Sequence, residues 1–192
     1  MIELNKEYWN QRYHEENTGW DLGQSSPSIQ AYFDQVDDKS LRILIPGAGN
    51  GHDVIALFEK GFHNVHLLDY AAKPVNDFLE RYPHFPANQV HIEDFFQHEG
   101  DYDIIVEQTL FCAIDPILRN NYAQKVSSLL VANGKLIGVL FNRSFEGGPP
   151  FGGNKEEYST YFNERFSHVV MEECYNSAEP RKGSELFIQL VK

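Results

Sequence analysis

LRILIPGAGNGHDVIALF, residues 41–58, decides the fold. An apolar run stops at Pro46, glycines alternate at Gly47, Gly49 and Gly51, and an apolar helical pattern resumes at Val54. A short apolar strand, a turn without side chains and an amphipathic helix make the opening unit of an open α/β sheet, where ligands bind beyond the carboxyl ends of the strands. Glycine there lets the chain turn tightly and lets a ligand approach the backbone without meeting a Cβ atom. The helix start that follows offers free N–H groups.

Working outward, the alternation continues. The pattern predicts strands at 41–45, 65–68, 89–92 and 102–106 and helices at 51–60 and 71–82, the second stopped by Pro83. Asp115 reads as an N-cap with Pro116 in the first helical position, Tyr122, Val126, Leu129 and Leu130 as the apolar face, and Asn133-Gly134 as the stop. Residues 135–141 read as a buried strand, and 169–174 and 186–191 as an antiparallel hairpin across the turn-rich SAEPRKGS. Strand alternating with helix predicts a mostly parallel sheet covered on both faces.

Composition sets bounds on function. A chain of 192 residues, 42% hydrophobic and 23% charged, has the size and make-up of one soluble domain. A net charge of −12 argues against nucleic-acid and anionic-membrane surfaces, because there is no basic stripe to neutralise phosphate. Cys112 and Cys174 form no C-x-x-C motif, MIELNKEYWNQRY lacks the apolar core of a secretory signal, and runs such as LIGVLF fall far short of the roughly 18 residues of a membrane span. The expectation is a cytoplasmic protein, a monomer or weak dimer.

The second strand ends at Asp69, 22 residues after Gly47, where a carboxylate can accept hydrogen bonds from both hydroxyls of a ribose. Glycine turn plus acid is a nucleoside-binding signature. The spacing is G-x-G-x-G rather than the G-x-G-x-x-G that brings a pyrophosphate onto a helix, and no Tyr-x-x-x-Lys pair occurs. Asp94 in HIEDFF follows the third strand with Phe95 beside it, suited to an adenine amino group and ring. S-adenosylmethionine, an adenosine without phosphate, fits these features better than NAD.

At this point the chain resembles the thiopurine S-methyltransferase family of class I S-adenosylmethionine-dependent methyltransferases, most closely its methyl halide and thiol methyltransferase branch. WNQRYHEENTGWDLGQSSP resembles the family's W-x-x-x-W…W-D-x-G…P segment, IPGAGNGHDV its cofactor loop, FCAIDPILR the segment after its fourth strand, and EGGPPF (146–151) a loop after its fifth. The resemblance implies a Rossmann-like fold of seven strands, mostly parallel with the last antiparallel, with residues 1–35 forming a helical segment that covers the cofactor within one domain, 1–192. It implies that Trp9, Tyr13 and Trp20 line the cofactor site, that Gly47 and Gly49 approach the methionine portion, that Asp69 with Tyr70 holds the ribose, and that Asp94 and Phe95 hold the adenine. Two positions depart from the pattern. Tyr13 stands where relatives generally have Trp, and Gln108 in EQT stands where the halide branch has Tyr and the thiopurine branch Arg.

The expected reaction is methyl transfer to a small thiol or similarly soft acceptor, with Asp21 and Gln108 orienting it and EGGPPF and Trp20 forming a lid. The eight histidines show no metal-ligand spacing, His63 and His66 reading as surface or structural. Cys112 reads as a packed small residue, and residues 155–161 as a solvated helical face. The competing readings are a small NAD(P)-dependent oxidoreductase and a non-catalytic nucleoside-binding module of the same fold.

Overall fold

The structure is a computed structural model that describes residues 3–192; the first two residues of the expected 1–35 covering segment lie outside it. Two helices come first, α1 (Lys6–His14) and α2 (Pro27–Phe33). The alternating part follows as β1 (Ile43–Pro46), α3 (His52–Glu59), β2 (Val65–Asp69), α4 (Ala72–Arg81), β3 (Val90–Ile92), β4 (Tyr102–Gln108), α5 (Leu110–Ala113), α6 (Arg119–Leu129) and β5 (Leu130–Phe141). Helix α7 (Lys155–Phe162) and strands β6 (His168–Glu173) and β7 (Glu185–Val191) complete the chain.

The seven strands form one sheet in the order β3-β2-β1-β4-β5-β7-β6. All pairs from β3 to β5 are parallel, and β7 runs antiparallel between β5 and β6, as the C-terminal hairpin pattern predicted. Successive side chains of a strand point to opposite faces, and the core divides accordingly. Ile43, Ile45, Val65, Leu67, Ile104 and Val106 face Ile29, Phe33, Val54, Leu57, Val75 and Phe78 of α2, α3 and α4. Leu44, Leu68, Ile105, Leu136 and Ile188 face Phe111, Tyr122, Val126, Tyr158 and Phe162 of α5, α6 and α7. A sheet apolar on both faces needs helices on both, which is why the short continuous runs of the sequence are strands.

Three expectations are corrected. The Asp115 side chain caps a 3-10 turn, Pro116–Leu118, by accepting from the Ile117 N–H (3.0 Å); α6 begins only after it. That helix stops at Leu129, well before Asn133-Gly134, because Leu130 turns extended and sinks into the core beside Tyr102. Asn133, at φ +62°, instead turns the chain at the register irregularity inside β5, between Leu130 and Lys135. In α7, Tyr158 and Phe162 are buried, so the stretch read as solvated carries an apolar stripe. No described helix is long and apolar enough to cross a membrane.

Candidate functional site

Strand β1 pairs with β2 on one side and β4 on the other, so the strand order reverses at its carboxyl end. That reversal opens a crevice, and the glycine turn sits in it. Gly47, Gly49 and Gly51 all have positive φ. A Cβ on Gly49 would stand 2.5 Å from the Tyr13 hydroxyl, and one on Gly47 would stand 3.0 Å from Leu110 Cβ. The alternating glycines thus serve two purposes, left-handed backbone and close approach of α1 and α5.

A cavity of about 570 Å³ opens over this edge. Gly47 forms part of its floor, Asp69 and Tyr70 come from the end of β2, and Asp94, Phe95 and Phe96 follow β3. Thr109, Leu110, Cys112, Ala113 and Ile114 wall it beyond β4, Pro149 and Pro150 close one side, and Trp9, Tyr13 and Trp20 cover it. The charged side chains of this lining are all carboxylates: Glu3, Asp69, Asp94 and Asp115. A smaller hollow of about 50 Å³ adjoins it, sharing Tyr13, Trp20, Gly47 and Thr109 and adding Asp21, Gly49, Asn50, His52, Asp53 and Gln108. The structure therefore brings Trp9, Tyr13, Trp20, Gly47, Asp69, Tyr70, Asp94 and Phe95 to one cavity. Asp21, Gly49 and Gln108 lie together in the hollow next to it.

Asp69 is the buried centre of this edge. One carboxylate oxygen accepts from the Gly49 N–H (2.7 Å) and the other from the Ala71 N–H (2.8 Å). Burial pushes its carboxyl up to about 6, although these backbone N–H groups pull the other way. Each oxygen retains capacity for another donor. Burial also opposes ionisation of Asp21, but close approach of His52 Nε2 (2.9 Å) and hydrogen bonds from Asn50 and the Gly23 N–H outweigh it and hold its carboxyl well below the usual range. Gln108 Oε1 is buried with no hydrogen-bond partner. Thr109 takes a left-handed conformation (φ +69°), backbone strain of the kind found where structure is committed to function. Cys112 lines the cavity, but burial, with Glu107 adding to it, pushes its thiol up to about 12; it is protonated at neutral pH.

The part of the covering segment before α2 is held by polar pins rather than by core, whereas α2 itself is anchored by Ile29 and Phe33. No residue of α1 is buried. The Lys73 N–H donates to Asn10 Oδ1 (3.0 Å), and Asp53 accepts from Ser25 Oγ (2.7 Å) and the Ser26 N–H (2.8 Å). Arg181, itself buried, donates to the Trp20 carbonyl from across the chain (2.5 Å). Trp20 packs edge-on against both Trp9 and Tyr13. Arg119 fastens the opposite wall: it donates to the carbonyls of Phe151 (3.1 Å) and Gly152 (2.9 Å) and to Glu157 (2.6 Å). Neither arginine was singled out from sequence, since a buried arginine and a surface one look alike there, and SAEPRKGS read only as a turn.

A cavity of this volume is in the range of small-molecule sites. Unshielded carboxylates with aromatic walls suit a ligand bearing positive charge and hydroxyl or amino donors, and offer nothing to a pyrophosphate. The residues present fit S-adenosylmethionine, whose sulfonium and ammonium are cationic and whose ribose carries two donors.

The sequence matches the family described as Thiopurine S-methyltransferase (TPMT) over residues 4–187. It is 31% identical to "Probable thiol methyltransferase 2" of Arabidopsis thaliana, covering 96% of this chain and 84% of that protein. It is also 31% identical to "Thiocyanate methyltransferase 1" of Brassica oleracea, covering 92% and 81%. Among solved structures it resembles magnesium protoporphyrin IX methyltransferase from Synechocystis with bound SAM, at TM-score 0.72 and 15% identity over 100% of this chain and 98% of the other, a likeness of fold. A full-length family match, relatives this similar and a cavity built for a cationic nucleoside agree: the chain belongs to the thiopurine S-methyltransferase family of S-adenosylmethionine-dependent methyltransferases.

Proposed function

We propose that the protein transfers the methyl group of S-adenosylmethionine to a small thiol, with the donor in the large cavity and the acceptor entering beside Gln108 and Asp21. The observation that carries this reading is the all-carboxylate, aromatic-walled cavity at the end of β1 and β2. In it Asp69 accepts from the ribose hydroxyls, Tyr70 lies beside that sugar, Asp94 accepts from the adenine amino group, and Phe95 supports the ring. Gly47 and Gly49 admit the methionine portion. Trp9, Tyr13 and Trp20 cover the site and, with Pro149 and Pro150, exclude water.

The bound donor supplies a methyl group already activated by its sulfonium. The protein's own task is alignment, and well-placed partners contribute up to about 7–11 kcal/mol by proximity alone. A thiol of ordinary pKa, roughly 8.5, is a few per cent thiolate at neutral pH, so no strong base is required. Asp21 is held ionised too firmly to be one; it orients the acceptor, together with the unpartnered Gln108 oxygen. Neither a halide nor a bare thiolate gains from the Asp21 carboxylate, whereas a thiol bearing an N–H or O–H donor does.

Incubation of the purified protein with S-adenosylmethionine and a panel of thiols tests the reaction. Formation of S-adenosylhomocysteine with at least one thiol is expected; none above background overturns the reading. Calorimetric titration is expected to show binding of S-adenosylhomocysteine and none of NADH, which also separates this reading from an oxidoreductase.

A further inference from the structure

Histidines scattered through the sequence converge in the fold. His91 on β3, and Glu93 and His98 beyond it, bring one nitrogen or carboxylate oxygen each to within 4.8 Å of one another. The geometry points to a binding site for a divalent transition-metal ion, zinc the best match, held by His91, Glu93 and His98.

Two imidazoles and one carboxylate make a donor set that zinc takes at sites keeping a fourth position for water. Metal-ligating histidines need the second ring nitrogen held, which fixes tautomer and orientation, and both are held here. His66 Nε2 faces two groups, the Asn64 side-chain oxygen (3.1 Å), which accepts, and Arg42 Nε (3.4 Å), which donates; the metal-binding form is the one in which Nε2 carries the proton and donates to Asn64. In that form His66 Nδ1, 2.9 Å from His91 Nε2, accepts from it and leaves the lone pair of His91 Nδ1 unshared. His98 Nε2 is 2.8 Å from the Tyr102 hydroxyl and its Nδ1 is 2.6 Å from Glu93 Oε1.

Without metal, the His98 Nδ1 proton bridges to Glu93 while Tyr102 donates to Nε2. With metal, that proton passes from Nδ1 to Nε2, which then donates to Tyr102, and Nδ1 and Glu93 become ligands with no net proton lost from His98. Arg42 opposes a second positive charge, but it meets the far side of His66 (3.4 Å), one residue removed from the ligands, and Glu93 offsets it. The site clamps the segment 93–98, on which Asp94 and Phe95 wall the large cavity.

Zinc titration of the tag-free full chain by calorimetry, in buffers of different ionisation enthalpy, is the test, with cobalt absorption as a readout of coordination. One ion per chain with little net proton release is expected. Glu93→Gln and His91→Ala, both at positions outside the core, are each expected to weaken binding by about tenfold or more while circular dichroism confirms their fold. Absence of binding, or zinc affinity unchanged in both variants, overturns the proposal, whatever the outcome for methyl transfer.

Discussion

At the residue scale the site turns on Asp69. Its two backbone donors fix the carboxylate, which on the proposed function presents preset acceptors to the ribose hydroxyls. Asp69→Asn places an amide NH₂ against either the Gly49 or the Ala71 N–H, losing one bond and opposing two donors. Hydrogen bonds to a charged acceptor contribute about 1.5–3 kcal/mol, so S-adenosylhomocysteine is expected to bind this variant roughly 10–100-fold more weakly in calorimetry. Equal affinity would remove the ribose from this position. Gln108→Leu fills the same space without the buried oxygen; we expect a higher KM for the thiol with donor affinity unchanged, and a rise in donor Kd instead would place Gln108 on the wrong ligand. Asp69 was legible in the sequence because a strand end fixes where its last side chain lies. The hollow around Gln108 was legible only as a pair of names: Asn50, His52 and Asp53 join Asp21 there through contacts that no spacing encodes.

Elements differ in how they are held, and this separates what periodicity reveals from what it hides. Strands β1, β2, β4 and β5 are buried and apolar, so their runs announce them. The stop of α6 at Leu129 does not follow from local chemistry, because the burial of Leu130 against Tyr102 overrides the nearby Asn-Gly. The Tyr158 and Phe162 stripe of α7 was obscured by the glutamates and lysine around it. Helix α1 is the opposite case, with no buried residue and a surface held by Asn10, Tyr13 and the Trp9–Trp20 contact. Elements with few buried contacts open first. Gly49→Ala combines a left-handed φ with a Cβ 2.5 Å from Tyr13 Oη, and the cheaper adjustment is for α1 to move. We expect a loss of about 1–2 kcal/mol in urea denaturation and faster proteolysis confined to the first 20 or so residues. A uniform loss of protection across the sheet would show that the turn, not the cover, had yielded.

For the whole molecule, distant segments meet through buried charges. Arg181 joins the turn before β7 to Trp20 and pairs with buried Glu185 (3.3 Å). Arg181→Met leaves that carboxylate unpaired, a change that costs about 3–5 kcal/mol in comparable buried pairs; Arg181→Met with Glu185→Leu is expected to recover most of it in urea midpoints. The pH dependence of stability follows from two buried acids. Burial raises Asp69 from 3.8 to about 6 and Glu107 from 4.5 to about 7. Between the ordinary and the raised value, the folded chain binds more protons than the unfolded one, so stability falls as pH rises through about 4–7. Asp21, shifted down, contributes stability above its ordinary value that is lost only on stronger acidification. Glu107→Gln keeps the geometry: its oxygen accepts from the Phe111 N–H as Glu107 Oε1 does (2.9 Å), and its amide donates to the Tyr122 hydroxyl. The melting temperature of the ligand-free wild type is therefore expected to drop between pH 5 and 8, and that of Glu107→Gln to drop less. Donors on the bound nucleoside favour ionised Asp69, so stabilisation by S-adenosylhomocysteine should grow from pH 5 to 7 and then level off. If it is flat across that range in wild type, Asp69 is ionised before the ligand arrives and its burial does not govern binding.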